Sequence, residues 1–235
     1  MLKRPTIAIV LLSCAAHASA EMVEKTGRFG GMPVTYKVVL PAGYDPARTY
    51  PVVLVFTGGA QQLRGAENTL DADWRAEAEK RGYIVISPGS PDGSIFFQEG
   101  EGAVRIFPQF LDMIVNDYKV PRGKLHIAGH SNGGITAYYV AAKYPQYFAT
   151  VIGYPGALNG EADDPRMVAL QPMCLFMHVG DQDGDWMTAM QRQADGLRQR
   201  GYKIKYTVEK NQAHRLRADE INLSPRLFDE IESCK

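Results

Sequence analysis

The hydrophobic pattern of this chain alternates between two periods. Short, uniformly apolar runs, such as VVLVF at 52–56, are typical of strands buried on both faces of a sheet. Longer segments between them carry apolar residues three or four positions apart, as amphipathic helices do. Strands are predicted at 34–41, 52–56, 83–87, 124–128, 149–154, 174–179 and 203–209, and helices at 71–82, 107–118, 134–145, 186–201 and 224–234.

This alternation of strand and helix predicts an α/β fold, with a mostly parallel sheet flanked by helices on both faces. Only the first strand, at 34–41, alternates apolar and polar residues as an exposed antiparallel strand does. The chain has 235 residues, of which 45% are hydrophobic, enough for one well-filled core. We therefore expect a single domain over 21–235, with ligands bound beyond the carboxyl ends of the strands.

The N-terminus has the pattern of a signal peptide. Lys3 and Arg4 precede the apolar run TIAIVLLSCAA, and HASA ends at Ala20 before the predicted domain begins. We expect cleavage after Ala20, so that residues 1–20 are removed and the protein is exported to the periplasm or secreted. Two alternatives are a short buried helix and a lipoprotein signal anchored at Cys14, although the leucine two residues before that cysteine fits the lipoprotein pattern poorly.

The composition excludes several classes of partner. Lys and Arg together number 26, as do Asp and Glu, so no basic surface indicates nucleic-acid binding. No apolar run reaches the roughly 18 residues expected of a transmembrane helix. After cleavage two cysteines remain, Cys174 and Cys234, and two interpretations stay open. They form a disulfide in an oxidising compartment, or Cys174 is a buried apolar residue and Cys234 a free thiol.

The sequence GHSNGG at 129–134 lies between a predicted buried strand and a predicted helix. In this context G-x-S-x-G is typical of a tight turn that holds its serine in a strained backbone conformation and raises the hydroxyl into the cleft. The flanking glycines are needed because the turn leaves no room for a β-carbon. The helix N-terminus favours negative charge nearby. We predict that Ser131 is a nucleophile, the alternative being a purely structural turn.

A serine nucleophile needs a histidine base and an orienting acid, which follow it in the order serine, acid, histidine. His214 lies in a polar loop just past the last predicted strand, so we predict it as general base and acid. His126 and His178 lie inside strands and His130 adjoins the serine. We expect these three to be structural.

The acid should come from the loop GDQDGDW, which contains Asp181, Asp183 and Asp185. Spacing alone does not separate them. We predict Asp183, at the tip of the loop, and expect the other two to be turn residues that cap the next helix.

Acyl transfer also requires two donors aimed at the developing oxyanion. We predict the backbone N–H of Asn132, directly after the nucleophile, and that of Gly59, in the Gly-Gly loop after 52–56. The alternative for that loop is a plain turn.

Four aromatic residues in cleft-side loops are candidates for an acyl or aromatic pocket, with ordinary core packing as the alternative: Phe96, Phe97, Tyr154 and Trp186. We expect no cofactor and no metal.

Four segments carry a wider similarity between about residues 34 and 216: YKVVLPAGYDPARTYPVVLVFTGG, VPRGKLHIAGHSNGG, HVGDQDGDW and NQAHR. With them the chain resembles the α/β-hydrolase superfamily, and within it the secreted esterases grouped with polyhydroxybutyrate depolymerases and feruloyl esterases. The resemblance implies the α/β-hydrolase fold and places the acid at the end of Gly-x-x-Asp, which supports Asp183. Thr57 departs from that group, which commonly has histidine there. No insertion is large enough for a lid domain.

The leading hypothesis is a secreted serine hydrolase that cleaves small-molecule or polymeric carboxylic esters through an acyl-serine intermediate. A peptidase or amidase of the same fold would share this chemistry. A catalytically silent α/β-hydrolase that acts as a binding module usually lacks a triad residue, whereas all three positions are filled here.

Overall fold

The computed structural model describes residues 20–91, 96, 101–158, 160 and 164–234, with the side chains of 101–104 left out. The predicted signal peptide up to residue 19 lies outside the described residues. The strands are β1 (Glu21–Phe29), β2 (Met32–Leu40), β3 (Val52–Phe56), β4 (Ile84–Pro88), β5 (Leu125–Gly129), β6 (Phe148–Gly153), β7 (Cys174–Gly180) and β8 (Ile204–Glu209). The α-helices are α1 (Leu63–Thr69), α2 (Arg75–Arg81), α3 (Glu101–Asp117), α4 (Asn132–Lys143), α5 (Gly184–Gln199) and α6 (Leu223–Ser233).

The eight strands form one sheet in the order β1-β2-β4-β3-β5-β6-β7-β8. The pairs β1–β2 and β2–β4 are antiparallel, and all the others are parallel. This arrangement confirms the predicted α/β class and the antiparallel entry strand.

Helices cover both faces of the sheet, because side chains of a strand point alternately to its two sides. Leu54 and Phe56 of β3 pack into one core with α3, α4 and α5, whereas Val53 and Val55 pack into a second core with α2 and α6. In the described part of the chain, no connection forms a separate lid domain, and no helix is long and apolar enough to cross a membrane.

Three elements differ from the predictions. Strand β1 was not predicted, because its residues are mostly polar and exposed; it forms a hairpin with β2 through Gly30 and Gly31, both at positive φ. The predicted helix at 71–82 begins earlier, as α1, and passes through a π-helical turn at Leu70–Trp74 before α2. Pro108 lies inside α3 rather than in its first turn, since burial of the neighbouring apolar side chains outweighs the lost backbone hydrogen bond.

Cys174 and Cys234 form a disulfide, which decides between the two interpretations of these cysteines. The bond joins the first residue of β7 to the residue that follows α6. The C-terminal helix is therefore covalently attached to β7, the second strand from one edge of the sheet.

Candidate active site

The predicted triad residues lie together at the carboxyl ends of three strands. Ser131 follows β5, Asp183 follows β7 and His214 follows β8. These strands lie within one continuous parallel stretch of the sheet, so their carboxyl ends share one edge. Loops that are far apart in sequence therefore meet there.

A continuous chain of hydrogen bonds connects the three side chains. Ser131 Oγ lies 2.9 Å from His214 Nε2, and Asp183 Oδ2 lies 2.7 Å from His214 Nδ1. In the tautomer that fits both contacts, Nδ1–H donates to the carboxylate and Nε2 accepts from the serine hydroxyl. The carboxylate is largely buried and the imidazole is partly exposed, so one end of the chain is screened from water while the other opens to the cleft.

Ser131 stands on a strained turn. Its φ of 57° is unusual for a residue with a side chain, and α4 begins at the next residue. A β-carbon at Gly133 would collide with the carbonyl oxygens of Phe56 and Thr57, and one at Gly129 would collide with the Gly133 carbonyl. The glycines of GHSNGG therefore let the turn pack against β3.

The structure distinguishes the three aspartates of the acid loop. Asp183 precedes α5 and its carboxylate reaches His214. Asp181 is exposed, and its Oδ1 accepts from the backbone N–H of Gln212 at 3.3 Å. Asp185 lies in the first turn of α5, exposed to solvent.

The two loops predicted to supply oxyanion donors are in contact. Asn132 donates a hydrogen bond from Nδ2 to the Gly59 carbonyl oxygen at 3.0 Å. Gly59 has a φ of 63°, a conformation that glycine adopts without strain. Thr57, which stands where the resembled esterases commonly have histidine, is buried and hydrogen-bonds to Thr69 at 2.9 Å. The backbone N–H groups remain the predicted donors.

Several known proteins match part of the chain in sequence, and no family model matches it. Dipeptidyl-peptidase 5 of Porphyromonas gingivalis is 30% identical over 147 residues, which are 56% of this chain and 20% of that protein. Acetylxylan esterase A of Emericella nidulans is 30% identical over 92 residues, 35% of this chain and 30% of that esterase. The chain thus spans less than a third of the length of either relative.

Among solved structures, a ferulic acid esterase superposes with a TM-score of 0.71 at 17% identity, covering 92% of this chain and 99% of the esterase. The chain has the α/β-hydrolase fold. The resemblance on which the fold was predicted is therefore confirmed.

Of the predicted pocket residues that the structure describes, only Trp186 lines the cleft. Its ring centroid is 5.2 Å from that of His214. Phe96 has no exposed surface and packs between Phe56 and Phe107 in the core, so the prediction that it lines a pocket is corrected. Tyr154 is also buried, so the prediction that it lines a pocket is corrected as well. Both lie in connections after strands, but apolar packing draws their rings inward. Phe97 lies outside the described residues.

A cavity of about 440 Å³ opens beside the triad, between the start of α4 and α5. Trp186 forms one wall, and Ile135, one turn after Ser131, forms another. The remaining lining is mixed: Ala157, Leu158, Gly160, Asp185, Ala189, Met190, Arg192 and Gln193. Its size lies within the range of small-molecule sites, and its apolar walls suit an apolar or aromatic group.

The other histidines that the structure describes lie outside the chain of hydrogen bonds from Ser131 to Asp183. His126 pairs with Thr150 at 3.0 Å in the sheet, and burial lowers its pKa to about 4. His178 is buried between Glu209 and Glu230, at 3.0 Å and 2.8 Å. His130 Nε2 accepts a hydrogen bond from Arg215 at 3.2 Å. Among the described residues, no cluster of three or more His, Cys, Asp or Glu could hold a metal ion.

Sequence reasoning missed a second polar cluster behind the triad. Asp73, in the π-helical turn, is 3% exposed and pairs with Arg215, the residue after His214. A signal was present in the sequence. Leu70, Asp73 and Trp74 are three or four positions apart, so Asp73 lies on the apolar face of the helix. A carboxylate is costly there unless it has a partner.

Proposed function

We infer that this α/β-hydrolase is an exported serine esterase, which cleaves carboxylic esters through an acyl-Ser131 intermediate. The observation that carries the proposal is the Ser131–His214–Asp183 chain of hydrogen bonds, at 2.9 Å and 2.7 Å, on a strained turn beside an open cleft. A hydroxyl so placed has a base for its proton, and the base has an acid to hold its tautomer.

In the proposed first half-reaction, Ser131 Oγ attacks the ester carbonyl carbon while His214 Nε2 takes its proton. The carbonyl oxygen becomes an oxyanion, stabilised by the N–H groups of Asn132 and Gly59. His214 then gives the proton to the departing alkoxy oxygen, which leaves as the alcohol. In the second half, a water loses a proton to His214 and attacks the acyl group. The proton passes to Ser131 Oγ and the carboxylic acid departs. Asp183 stabilises the imidazolium throughout.

The cavity beside Trp186 supports a substrate class of esters that carry an apolar or aromatic group on one side of the scissile bond. The cleft has no lid domain in the described part of the chain, so small-molecule and polymeric esters both fit the proposal. The esterases among the similar proteins are named for acetylxylan, which is a carboxylic ester, and for ferulic acid, which is a carboxylic acid.

Covalent labelling tests the proposal directly. The purified protein, treated with a fluorophosphonate, is expected to gain one adduct, located on Ser131 by peptide mass spectrometry, and to hydrolyse p-nitrophenyl acetate and butyrate. The Ser131→Ala variant is the matched control and should do neither. A wild-type protein that takes no label and turns over no ester would refute the esterase and favour a catalytically silent binding module.

We predict that Trp186→Ala shifts selectivity among esters. Removing the indole opens one cavity wall, so the ratio of kcat/KM for p-nitrophenyl benzoate to that for the acetate should fall about tenfold. Trp186→Phe keeps an aromatic wall and is the control. An equal loss for both esters would instead mean that Trp186 serves mainly to hold His214.

A peptidase is the second candidate, since dipeptidyl-peptidase 5 matches 56% of this chain at 30% identity. The triad chemistry is the same, but the leaving group is an amine. Parallel assays with p-nitrophenyl acetate and with dipeptidyl p-nitroanilides separate the two. Amide turnover that exceeds ester turnover in kcat/KM would favour the peptidase.

Two observations support export. The N-terminal pattern ends at Ala20, and the Cys174–Cys234 disulfide is typical of an oxidising compartment. The Ala20 carbonyl accepts a hydrogen bond from Arg75 at 2.9 Å, a contact that cleavage after Ala20 would remove. Expression of the full chain in a bacterial host should yield periplasmic protein with Glu21 at its N-terminus. An uncleaved or lipid-modified N-terminus would contradict this.

A further inference from the structure

The π-helical turn at Leu70–Trp74 packs behind the triad and places two polar groups in the interior. Such turns are rare and often occur at functional sites. Within it Asp71 is exposed and pairs with Arg75, whereas Asp73 and Trp74 are almost completely buried. A buried carboxylate destabilises the folded state unless it is paired with a charge or hydrogen-bonded.

Each of the two buried residues is connected to a residue of the proposed triad through one side chain, that of Arg215 or of Tyr154. Arg215 Nη2 donates to both carboxylate oxygens of Asp73, each at 3.4 Å. Arg215 directly follows His214 in the sequence. Trp74 Nε1 donates to the Tyr154 hydroxyl at 2.8 Å. Tyr154 precedes Pro155, whose carbonyl accepts the N–H of Ser131 at 2.7 Å.

Arg215 continues the connection to the nucleophile turn. Its Nη1 donates to His130 Nε2 at 3.2 Å, so His130, next to Ser131, is neutral with its proton on Nδ1. Burial, with Arg215 and His214 nearby, lowers the pKa of His130 to about 4, which keeps it in that neutral form. The ring also packs on Gly58, where a β-carbon would lie 2.7 Å from Nε2. Asp73, Arg215 and His130 thus connect the π-helical turn to the elements that carry His214 and Ser131.

We propose that Asp73 and Arg215 are positioning residues, whose ion pair holds His214 and Ser131 in the reactive geometry, and that protonation of Asp73 loosens this geometry. The role rests on the proposed esterase function. Neither residue belongs to the Ser131–His214–Asp183 chain of hydrogen bonds, and the pair acts through the residues that flank it in sequence.

The surroundings of Asp73 make its charge sensitive to mildly acidic pH. Burial raises the pKa of Asp73 to about 6, while Arg215 and a hydrogen bond from Tyr154 act in the opposite direction. Among the described residues, the charged and titratable groups that face it are Arg215 from the loop after β8 and Tyr154 from the loop after β6. Helix α6 contributes the apolar Phe228, which packs on Trp74. Below about pH 6, Asp73 therefore loses the charge that attracts Arg215.

The test is the pH dependence of Asp73→Asn, which mimics the protonated carboxyl at every pH. At about pH 8 the variant should have a kcat for p-nitrophenyl acetate about tenfold below wild type, with KM unchanged, because the pair positions the triad without touching substrate. Below about pH 5 the two proteins should converge. The pH profile of wild type should therefore contain one protonation, that of Asp73, which the profile of the variant lacks.

Asp71→Asn is the matched control, since it removes an exposed Asp–Arg pair from the same turn, and it should follow the wild-type profile. A wild-type to Asp73→Asn ratio that stays constant with pH would show a purely structural role and overturn the proposal, as would identical profiles. If thermal melting shows that Asp73→Asn does not fold, Arg215→Gln, at a half-exposed side chain, should give the same ratio and the same convergence. Fluorophosphonate labelling of wild type separates the two proposals: an unlabelled, inactive wild type refutes the esterase, whereas an active one with an unchanged Asp73→Asn profile refutes only this role.

Discussion

Replacing Asp183 by Asn is expected to lower kcat for p-nitrophenyl acetate by about 10⁴-fold, approaching the loss expected from Ser131→Ala. The amide keeps the shape of the carboxylate but not its charge. It can donate to His214 Nδ1 and thereby favour the tautomer with the proton on Nε2, which cannot accept from Ser131. It also leaves the imidazolium without a counter-charge. Initial rates over a range of substrate concentrations measure the effect.

The loop provides its own controls, because Asp181 and Asp185 are exposed aspartates two residues to either side. Asp181→Asn and Asp185→Asn should leave kcat for this small ester within about threefold of wild type. Either control losing more activity than Asp183→Asn would mean that the acid is misassigned. Far-UV circular dichroism of all three variants checks that the fold is intact.

His178→Gln is expected to cause a large loss of stability, about 3–5 kcal/mol in the free energy of unfolding near neutral pH. The imidazole separates two buried carboxylates, Glu209 and Glu230, which are 6% and 4% exposed. Arg226 and Lys205 balance part of their charge from the outside. Without the imidazolium, the two carboxylates face a neutral amide in the interior.

The pH dependence of this loss of stability follows from the direction in which the fold shifts the pKa of His178. Burial lowers the pKa of His178, but the hydrogen bonds to Glu209 and Glu230 outweigh burial and raise it above its ordinary value. The stabilisation is therefore fully present below the pKa of an unfolded histidine and is lost as the pH rises through the folded one. Urea unfolding of wild type and variant should show a difference that shrinks at alkaline pH. A difference that is independent of pH would point to packing rather than charge.

The sequence was most informative where chemistry and topology coincide. Ser131 and His214 were predicted because they lie in loops just past the ends of strands and because their order along the chain matches the chemistry. Asp183 needed more, since three aspartates share one loop and only the local turn decides which carboxylate faces the imidazole. Its place at the tip of the loop made that choice, and the resemblance to known esterases supported it.

The errors have a common physical origin, which is burial decided by tertiary packing. Phe96 and Tyr154 follow strands, as pocket residues do, but their rings fill the core on opposite sides of the sheet. Asp73 is the opposite case, a buried carboxylate that was overlooked although its spacing from Leu70 and Trp74 places it on the apolar face of the helix. Strand β1 was missed because the neighbour that pairs with it, and not its own apolar content, makes it a strand.

The disulfide between Cys174 and Cys234 has a consequence for how the molecule responds to proteolysis. The bond closes a ring of chain that contains both Asp183 and His214, whereas Ser131 lies outside it. A single cut anywhere within this ring leaves two fragments that remain one covalent molecule. Asp183 and His214 therefore stay attached to β7 through one end of the ring or the other, and a nicked chain keeps Ser131, Asp183 and His214 in one molecule until a reductant opens the bond.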